Sequence, residues 1–267
     1  MNILLKKIWR LFALNWSVSL QYRGDLFLWL LTVAITPLIS MALWYAVAKN
    51  ASSGPTPDET ITYYVLAIIV SVATSAWDGF FLSQEILRGD IVQRLIKPVP
   101  PFWGFITANL SGKVLQFSIL LPILAFILAA FPGSLSALTR NPLNWLLFFS
   151  SLVLAMILAF TLDMAFGLIA FWLEDAAQLR WYKETLQMIT SGILIPIAVM
   201  PKSAQVFANI LPFRSILTTP IEIVTDRLDP QQLTYAFSTQ LIWIVIITGA
   251  MVIMWRQGLK TYAPPGQ

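Results

Sequence analysis

Apolar and polar positions along this chain alternate on the scale of whole segments. Long apolar runs fill residues 26–48, 61–82, 113–131, 143–172, 185–200 and 237–255, and short polar stretches part them. About 20 apolar residues are what a helix needs to cross a bilayer. Pro37 inside the first run is tolerated, because neighbouring helices and tilt re-satisfy the freed carbonyl. The fourth run makes a straight helix of roughly 45 Å against a hydrocarbon core of about 30 Å, so it must tilt, bend or protrude. The pattern predicts an all-α integral membrane protein in which residues 1–267 form a single transmembrane domain with six spans.

Three further segments carry a helical rhythm without spanning length. Residues 1–25 place Lys6, Lys7, Arg10, Ser17 and Gln21 on one side of a helix and Leu5, Ile8, Trp9, Phe12 and Trp16 on the other, the pattern of an interfacial helix lying on the membrane. No small-residue cleavage site follows the first apolar run, so this lead is expected to be retained and not to act as a signal peptide. Residues 83–101 are a charged island between the second and third runs, with Glu85, Arg88, Asp90, Arg94 and Lys97. At about 100° per residue Ile91, Val92, Leu95 and Ile96 form one stripe. Asp90 stands where an N-cap is expected, with Gln93 able to reach back; Gly89 lets the chain turn in, and Pro98, Pro100 and Pro101 end the helix. In residues 201–235 the apolar fragments 204–211 and 216–224 are too short to span and read as helices that dip part way in from the external side.

Composition confirms the membrane setting and removes most chemistry. Hydrophobic residues make up 58% of the 267, charged residues only 11%, and mean hydropathy is +0.74, beyond what a water-soluble core absorbs. There is no cysteine and no histidine, which excludes disulfides, His or Cys metal sites and Cys/His or Ser/His nucleophile pairs. A membrane-embedded lipid-modifying enzyme would need clustered acids, a metal site or a nucleophile with its base, and no such cluster is visible; a structural subunit of a membrane complex is the other alternative. The net charge of +4 reflects topology and not nucleic acid. Twelve of the 17 Lys and Arg residues fall in the N-terminal 25 residues, 83–113, 174–184 and the tail, which the positive-inside rule assigns to the cytoplasm together with both termini. Asp78 and Asp163 lie within apolar sequence, so each is a candidate for an intramembrane polar pathway; otherwise Asp78 lies at the membrane interface and Asp163 is paired with a cation such as Lys113 or Arg180. Trp29, Trp44, Trp77, Trp103, Trp145, Trp172 and Trp255 lie near run ends, where an aromatic belt is expected.

The order of short motifs is specific where each alone is weak. The island has the form E-x3-G-x5-L-x2-P (Glu85, Gly89, Leu95, Pro98); later come SGILIPIAVMP (Ser191, Gly192, Pro196, Pro201), LPF-x6-P (Pro212, Phe213, Pro220) and W-x2-GL-x2-Y-x3-G (Trp255, Gly258, Leu259, Tyr262, Gly266). Across nearly its whole length the chain resembles the ABC-2 family of ABC-transporter permeases, in particular bacterial six-span exporter subunits of the type V kind, whose ATPase is encoded separately. Residues 174–184 are more charged than in relatives. The resemblance implies that 83–101 is the cytoplasmic coupling helix, docking on a nucleotide-binding subunit through Glu85, Arg88, Gly89, Asp90, Ile91, Arg94, Leu95 and Pro98, with Glu85, Arg88 and Arg94 at the rim. It implies that 1–25 is the elbow helix and that Gly192, Pro196, Pro201, Pro212, Phe213 and Pro220 belong to an external gate. It also implies two ATPase subunits, a second permease, identical or related, surrounding lipid, and a place in the bacterial plasma membrane. With no G-x4-GK[ST] in this chain, ATP and Mg²⁺ are expected on the partner and no cofactor here.

The charge split makes a topological prediction. A reporter fused after Tyr262 is expected to read as cytoplasmic and one inserted at Ser53 as external. Both on one side would contradict the six-span arrangement.

Overall fold

The computed structural model describes residues 3–51, 54–135 and 137–262; Ser53 and Gly266, named above, lie outside the described residues. Among the described residues the chain is mainly α-helical, without strands: α1 (Ile3–Gln21), α2 (Arg23–Asn50), α3 (Pro57–Thr74), α4 (Asp78–Arg88), α5 (Ile91–Leu95), α6 (Phe102–Ala130), α7 (Pro142–Leu168), α8 (Ala176–Thr190), α9 (Lys202–Ile210), α10 (Pro212–Ile216), α11 (Thr218–Val224) and α12 (Pro230–Thr261). Five stretches among the described residues are long and apolar enough to cross a membrane: Arg23–Asn50, Pro57–Arg88, Phe102–Ala130, Pro142–Phe171 and Pro230–Thr261.

Local sequence explains where the longest of these begin. Thr56 and Glu59 form a reciprocal capping box at the start of α3, and Asp229 and Gln232 form another at the start of α12. Proline at the first helical position reinforces both. The Asn141 side chain caps α7 by accepting from the Leu143 amide, ahead of Pro142.

α3 and α7 form the centre. α3 buries most of its surface, including Tyr64, Ile68 and Val70, against α2, α6, α7 and α11. α7 packs along α12 and takes α4 and α11 on its other sides. The outer helices keep apolar faces open, such as Leu28, Ile35 and Ile39 on α2 and Ile242, Val245 and Ile246 on α12. Such rows suit acyl chains and would be untenable in water.

Polar contacts fix the ends of the bundle. At one end Lys7 donates to the Pro98 carbonyl, the Tyr262 hydroxyl donates to the Ile86 carbonyl, and Phe102, Phe171, Trp255 and Tyr262 stack edge to face. At the other, the Thr139 amide donates to the Val224 carbonyl, Asn144 donates to Asp226, and Arg227 faces Glu59. Both ends of the described chain therefore gather at the same end of the bundle.

Several expectations are corrected here. The run at 185–200 is not one helix: α8 starts earlier, at Ala176, and stops at Thr190, after which 191–201 is irregular apart from a single 3-10 turn at Ile197–Val199. Gly192 adopts φ +94° and Pro196 cannot donate, so the helix cannot continue. The run at 61–82 is broken at Ser75–Trp77 into α3 and α4; in the island the helix expected between Gly89 and Pro98 is α5, while Ser83–Arg88 belong to α4. Arg88 ends α4, Gly89 caps it in the left-handed conformation, and Asp90 is helical with no side-chain capping bond. α1 turns Ile8, Phe12, Asn15 and Ser19 inward along α6 while Leu5 and Trp9 are exposed; Asn15 donates to Thr107 at 2.9 Å. The two fragments after Pro201 are three, α9, α10 and α11.

α4 meets α7 backbone to backbone. A Cβ on Gly79 would lie 2.0 Å from the Asp163 carbonyl oxygen, and one on Gly167 would lie 2.3 Å from the Gly79 carbonyl oxygen. Gly79→Ala is expected to destabilise the protein by about 1–3 kcal/mol in thermal unfolding in detergent. Gly249→Ala, where a Cβ meets nothing within 4 Å, is the control and should be neutral or slightly stabilising.

Candidate functional site

The site is the interruption between α3 and α4 and the groups that hold it. Breaking a helix frees carbonyls at one lip and N–H groups at the other, and within a membrane each needs a partner from the protein. On the α3 side the Ser75 carbonyl accepts from Lys113 and Asn109 of α6, and the Ala76 carbonyl accepts from Arg180 of α8 at 3.4 Å. Cations at a helix C-terminus also offset its dipole. On the α4 side the Gly79 amide donates to Asp163 at 2.8 Å, so a carboxylate from α7 caps α4 in place of a local residue. Asp78, next to it, accepts from Asn109 at 2.7 Å.

Asp163 is the hub. It is 1% exposed, and besides Gly79 it takes Lys183 of α8 at 2.7 Å, itself 6% exposed, and Arg180 at 3.5 Å. At that separation Arg180 Nη1 is within ion-pair range of the carboxylate but makes no hydrogen bond there. Arg180 instead spends Nε on Glu184 at 2.8 Å and lays its guanidinium 4.1 Å over the Trp77 ring. A planar fork suits this division of labour in a way a lysine would not. Asp78, Asp163 and Glu184 together balance Lys113, Arg180 and Lys183.

Asp163 and Arg180 thus meet as expected, but Lys113 serves the α3 terminus and is not Asp163's partner. Lys183, the closest cation, was legible only as a topological charge. Asp78 and Lys113 do come together at one break, through Ser75 and Asn109.

From this break α4 leads directly to α5. Of the eight residues expected to dock, Glu85 and Arg94 bind one another through two nitrogen–oxygen contacts, and Arg94 covers the Phe105 ring at 4.0 Å. Two of the three charges expected at a rim are therefore used within the chain. Ile91 is fully buried and pins α5 to the bundle, while Val92, Leu95 and Ile96 are exposed at 39%, 40% and 80%. Arg88, Asp90 and Pro98 are exposed.

A second irregular segment follows α8. The Gly192 carbonyl accepts from Tyr63, the Ser191 carbonyl from Thr218, and the Leu194 carbonyl from both Trp44 and Tyr64. Gly192, Pro196 and Pro201 belong to this segment; Pro212, Phe213 and Pro220 are buried in α10 and α11 beyond it. There Arg214 pairs with Glu222 at 2.7 Å; burial pushes the Glu222 carboxyl up from its ordinary value, and the Arg214 guanidinium opposes it. Gln240 of α12, fully buried, accepts from Ser151 and donates to the Ser151 and Ser215 carbonyls. Tyr63, Tyr64, Trp44 and Gln240 carry no sequence signal for these roles, because their partners are mostly backbone groups of distant segments.

Among the described residues no group of three or more His, Cys, Asp or Glu side chains gathers where a metal could be held. The arrangement is that of a charge-clamped joint between α3 and α4, two helices that both pack into the bundle.

Lys183→Met leaves the buried Asp163 short of its closest cation and is expected to cost about 3–5 kcal/mol. Lys183→Met combined with Asp163→Asn, which still offers Gly79 an acceptor, should recover most of that loss. Thermal unfolding in detergent measures both; equal losses for the single and double variants would show that the pair does not couple.

Comparison with known proteins places the chain. A family model described as ABC-2 family transporter protein matches residues 31–266, which is all but α1 and the first turns of α2. Neither the curated proteins nor the solved structures contain a significant match. With the match spanning almost every element that builds the break and its clamps, the chain belongs to the ABC-2 family of transporter proteins, as a multi-pass membrane permease.

Proposed function

We propose that this permease is the membrane subunit of an exporter driven by ATP hydrolysis on a separate nucleotide-binding subunit, present in two copies that bind the ATP and Mg²⁺. A second permease, identical or related, completes the assembly in the bacterial plasma membrane, with both termini cytoplasmic. The observation that carries this reading is the path from the buried break, through α4 and the Gly89 turn, to the exposed apolar edge of α5. One end of α4 is clamped by Asp163 on α7 and the other leads through Gly89 to Val92, Leu95 and Ile96. An apolar edge beside exposed charge suits a groove on a partner protein.

Force on α5 would reach the membrane through α4. The close α4–α7 contact and the Asp163 cap resist sliding of α4, so motion is expressed at Ser75–Trp77, where few backbone hydrogen bonds oppose bending. A switch of this kind moves an assembly between two states in proportion to how differently the closed and open partner contacts bind. The broken passage through 191–201 and the short helices α9 to α11 form the external part of the pathway.

Leu95→Asp places an unpaired charge in the proposed contact and should detach the ATPase subunit on co-purification, a loss of several kcal/mol. Arg94→Ala should act differently from a simple rim substitution. It frees Glu85 and uncovers Phe105, loosening α5 by about 1 kcal/mol at this partly exposed pair, so the ATPase should still co-purify while ATP turnover coupled to transport falls. Normal association and transport in Leu95→Asp would refute the docking role.

A further inference from the structure

We infer that the cavity walled by α1 and α6 on one side and α4 and α5 on the other holds the headgroup of a phospholipid of the phosphoethanolamine type. The cavity measures about 850 Å³, within the range of small-molecule sites. Its apolar wall comes from Leu11 and Leu14 of α1, Leu26 and Trp29 of α2 and Phe81 of α4. These surfaces suit an acyl chain and the glycerol region.

The polar lining sets the headgroup. Lys113 lines the cavity, is 6% exposed, and directs its ammonium to a single residue, Ser75, leaving donor capacity for an anion. Gln116, one turn along α6 and 8% exposed, also lines it, and its side-chain oxygen has no hydrogen-bond partner. A buried carbonyl oxygen without a donor costs free energy that a ligand N–H or O–H recovers. The ligand must therefore offer both an acceptor for Lys113 and a donor for Gln116.

Charge narrows the class. Glu85 and Arg94 neutralise each other. Asp25, Asp78 and Asp90 then face the cavity with Lys97 and Lys113. A purely anionic headgroup would meet more carboxylate than ammonium. A zwitterion with phosphate and a primary ammonium satisfies both signs, and its N–H groups can reach Gln116. A choline headgroup has no N–H to give.

The test uses the full chain, purified in detergent and stripped of lipid, titrated with phosphatidylethanolamine, phosphatidylcholine and phosphatidylglycerol of the same acyl composition and read by native mass spectrometry. Phosphatidylethanolamine is expected to bind about tenfold more tightly than phosphatidylcholine, the effect of one charge-assisted hydrogen bond. Gln116→Leu should reduce that preference to about threefold or less, and Lys113→Met should weaken all three lipids through the lost phosphate contact. Lys113 also serves the α3–α4 break, so Gln116→Leu, which leaves the break intact, carries the test on its own once its unfolding temperature matches that of the native chain. Equal retention of the three lipids, or an undiminished preference in Gln116→Leu, overturns the proposal. Soluble glycerophosphoethanolamine binding as tightly as the lipid would overturn the assignment to a lipid. The readout needs no ATPase and is independent of the transport reading.

Discussion

Much of this structure depends on one buried carboxylate. Asp163 accepts from the first turn of α4 and from Lys183 of α8, and lies within ion-pair range of Arg180, while its own backbone carbonyl lies close against Gly79. Three elements distant in sequence are held by a single side chain that would be costly to bury alone. The cost is offset because two cations and a helix N-terminus converge on it, and because Glu184 and Asp78 balance the remaining positive charge nearby. Without that convergence α4 would lose its N-terminal cap and α8 would present Lys183 uncompensated to apolar surroundings, Arg180 keeping only Glu184.

The same constraint recurs wherever the backbone leaves the helix. Carbonyls freed at Ser75 and Ala76 are met by Lys113, Asn109 and Arg180; those at Ser191, Gly192 and Leu194 are met by Thr218, Tyr63, Tyr64 and Trp44. Irregular backbone at membrane depth is tolerated only where protein supplies its partners. Breaks of this kind are also where a rigid bundle can bend, since the rest of each helix is stiffened by its own hydrogen bonds. Ser75–Trp77 and, after α8, Ser191 and Ile193 line one cavity beside α3, which touches α2, α6, α7 and α11, so a displacement at the α4 end has a packed route toward the segment after α8.

The charge pattern reads differently once folded. Lys113, Arg180 and Lys183 count toward the twelve cations that the positive-inside rule assigns to the cytoplasm, yet Lys113 and Lys183 are buried, Arg180 is half-buried, and all three engage carboxylates or carbonyls. The exposed cations Lys6, Arg10, Arg88 and Lys97 remain on that side, so the asymmetry survives with fewer contributors.

What the residues alone determined is what depends on summed hydropathy and local chemistry. The all-helical membrane class, the apolar runs behind four unbroken long helices, the stops imposed by prolines and the ABC-2 resemblance all follow from segments read one at a time, because burial in lipid scales with apolar length and capping acts within four residues. The capping boxes at Thr56 and Asp229 were also legible on that basis, as Ser/Thr/Asp followed three residues later by Glu or Gln. What only the tertiary structure decided is what depends on partners far along the chain. The run 61–82 looked continuous, since Ser75–Trp77 has no helix-breaking residue; it opens because Asp163, Lys113 and Arg180 make a break cheaper than a straight helix there. The run 185–200 looked like a span, since hydropathy does not register a positive φ at Gly192 or the hydroxyls and indole that receive its carbonyls. The Asp90 cap failed because Gly89 ends α4 in the left-handed conformation, leaving Asp90 inside a continuing turn. Charge pairing across helices has no period in sequence, and so the Asp163 cluster became visible only when α4, α7 and α8 were brought together.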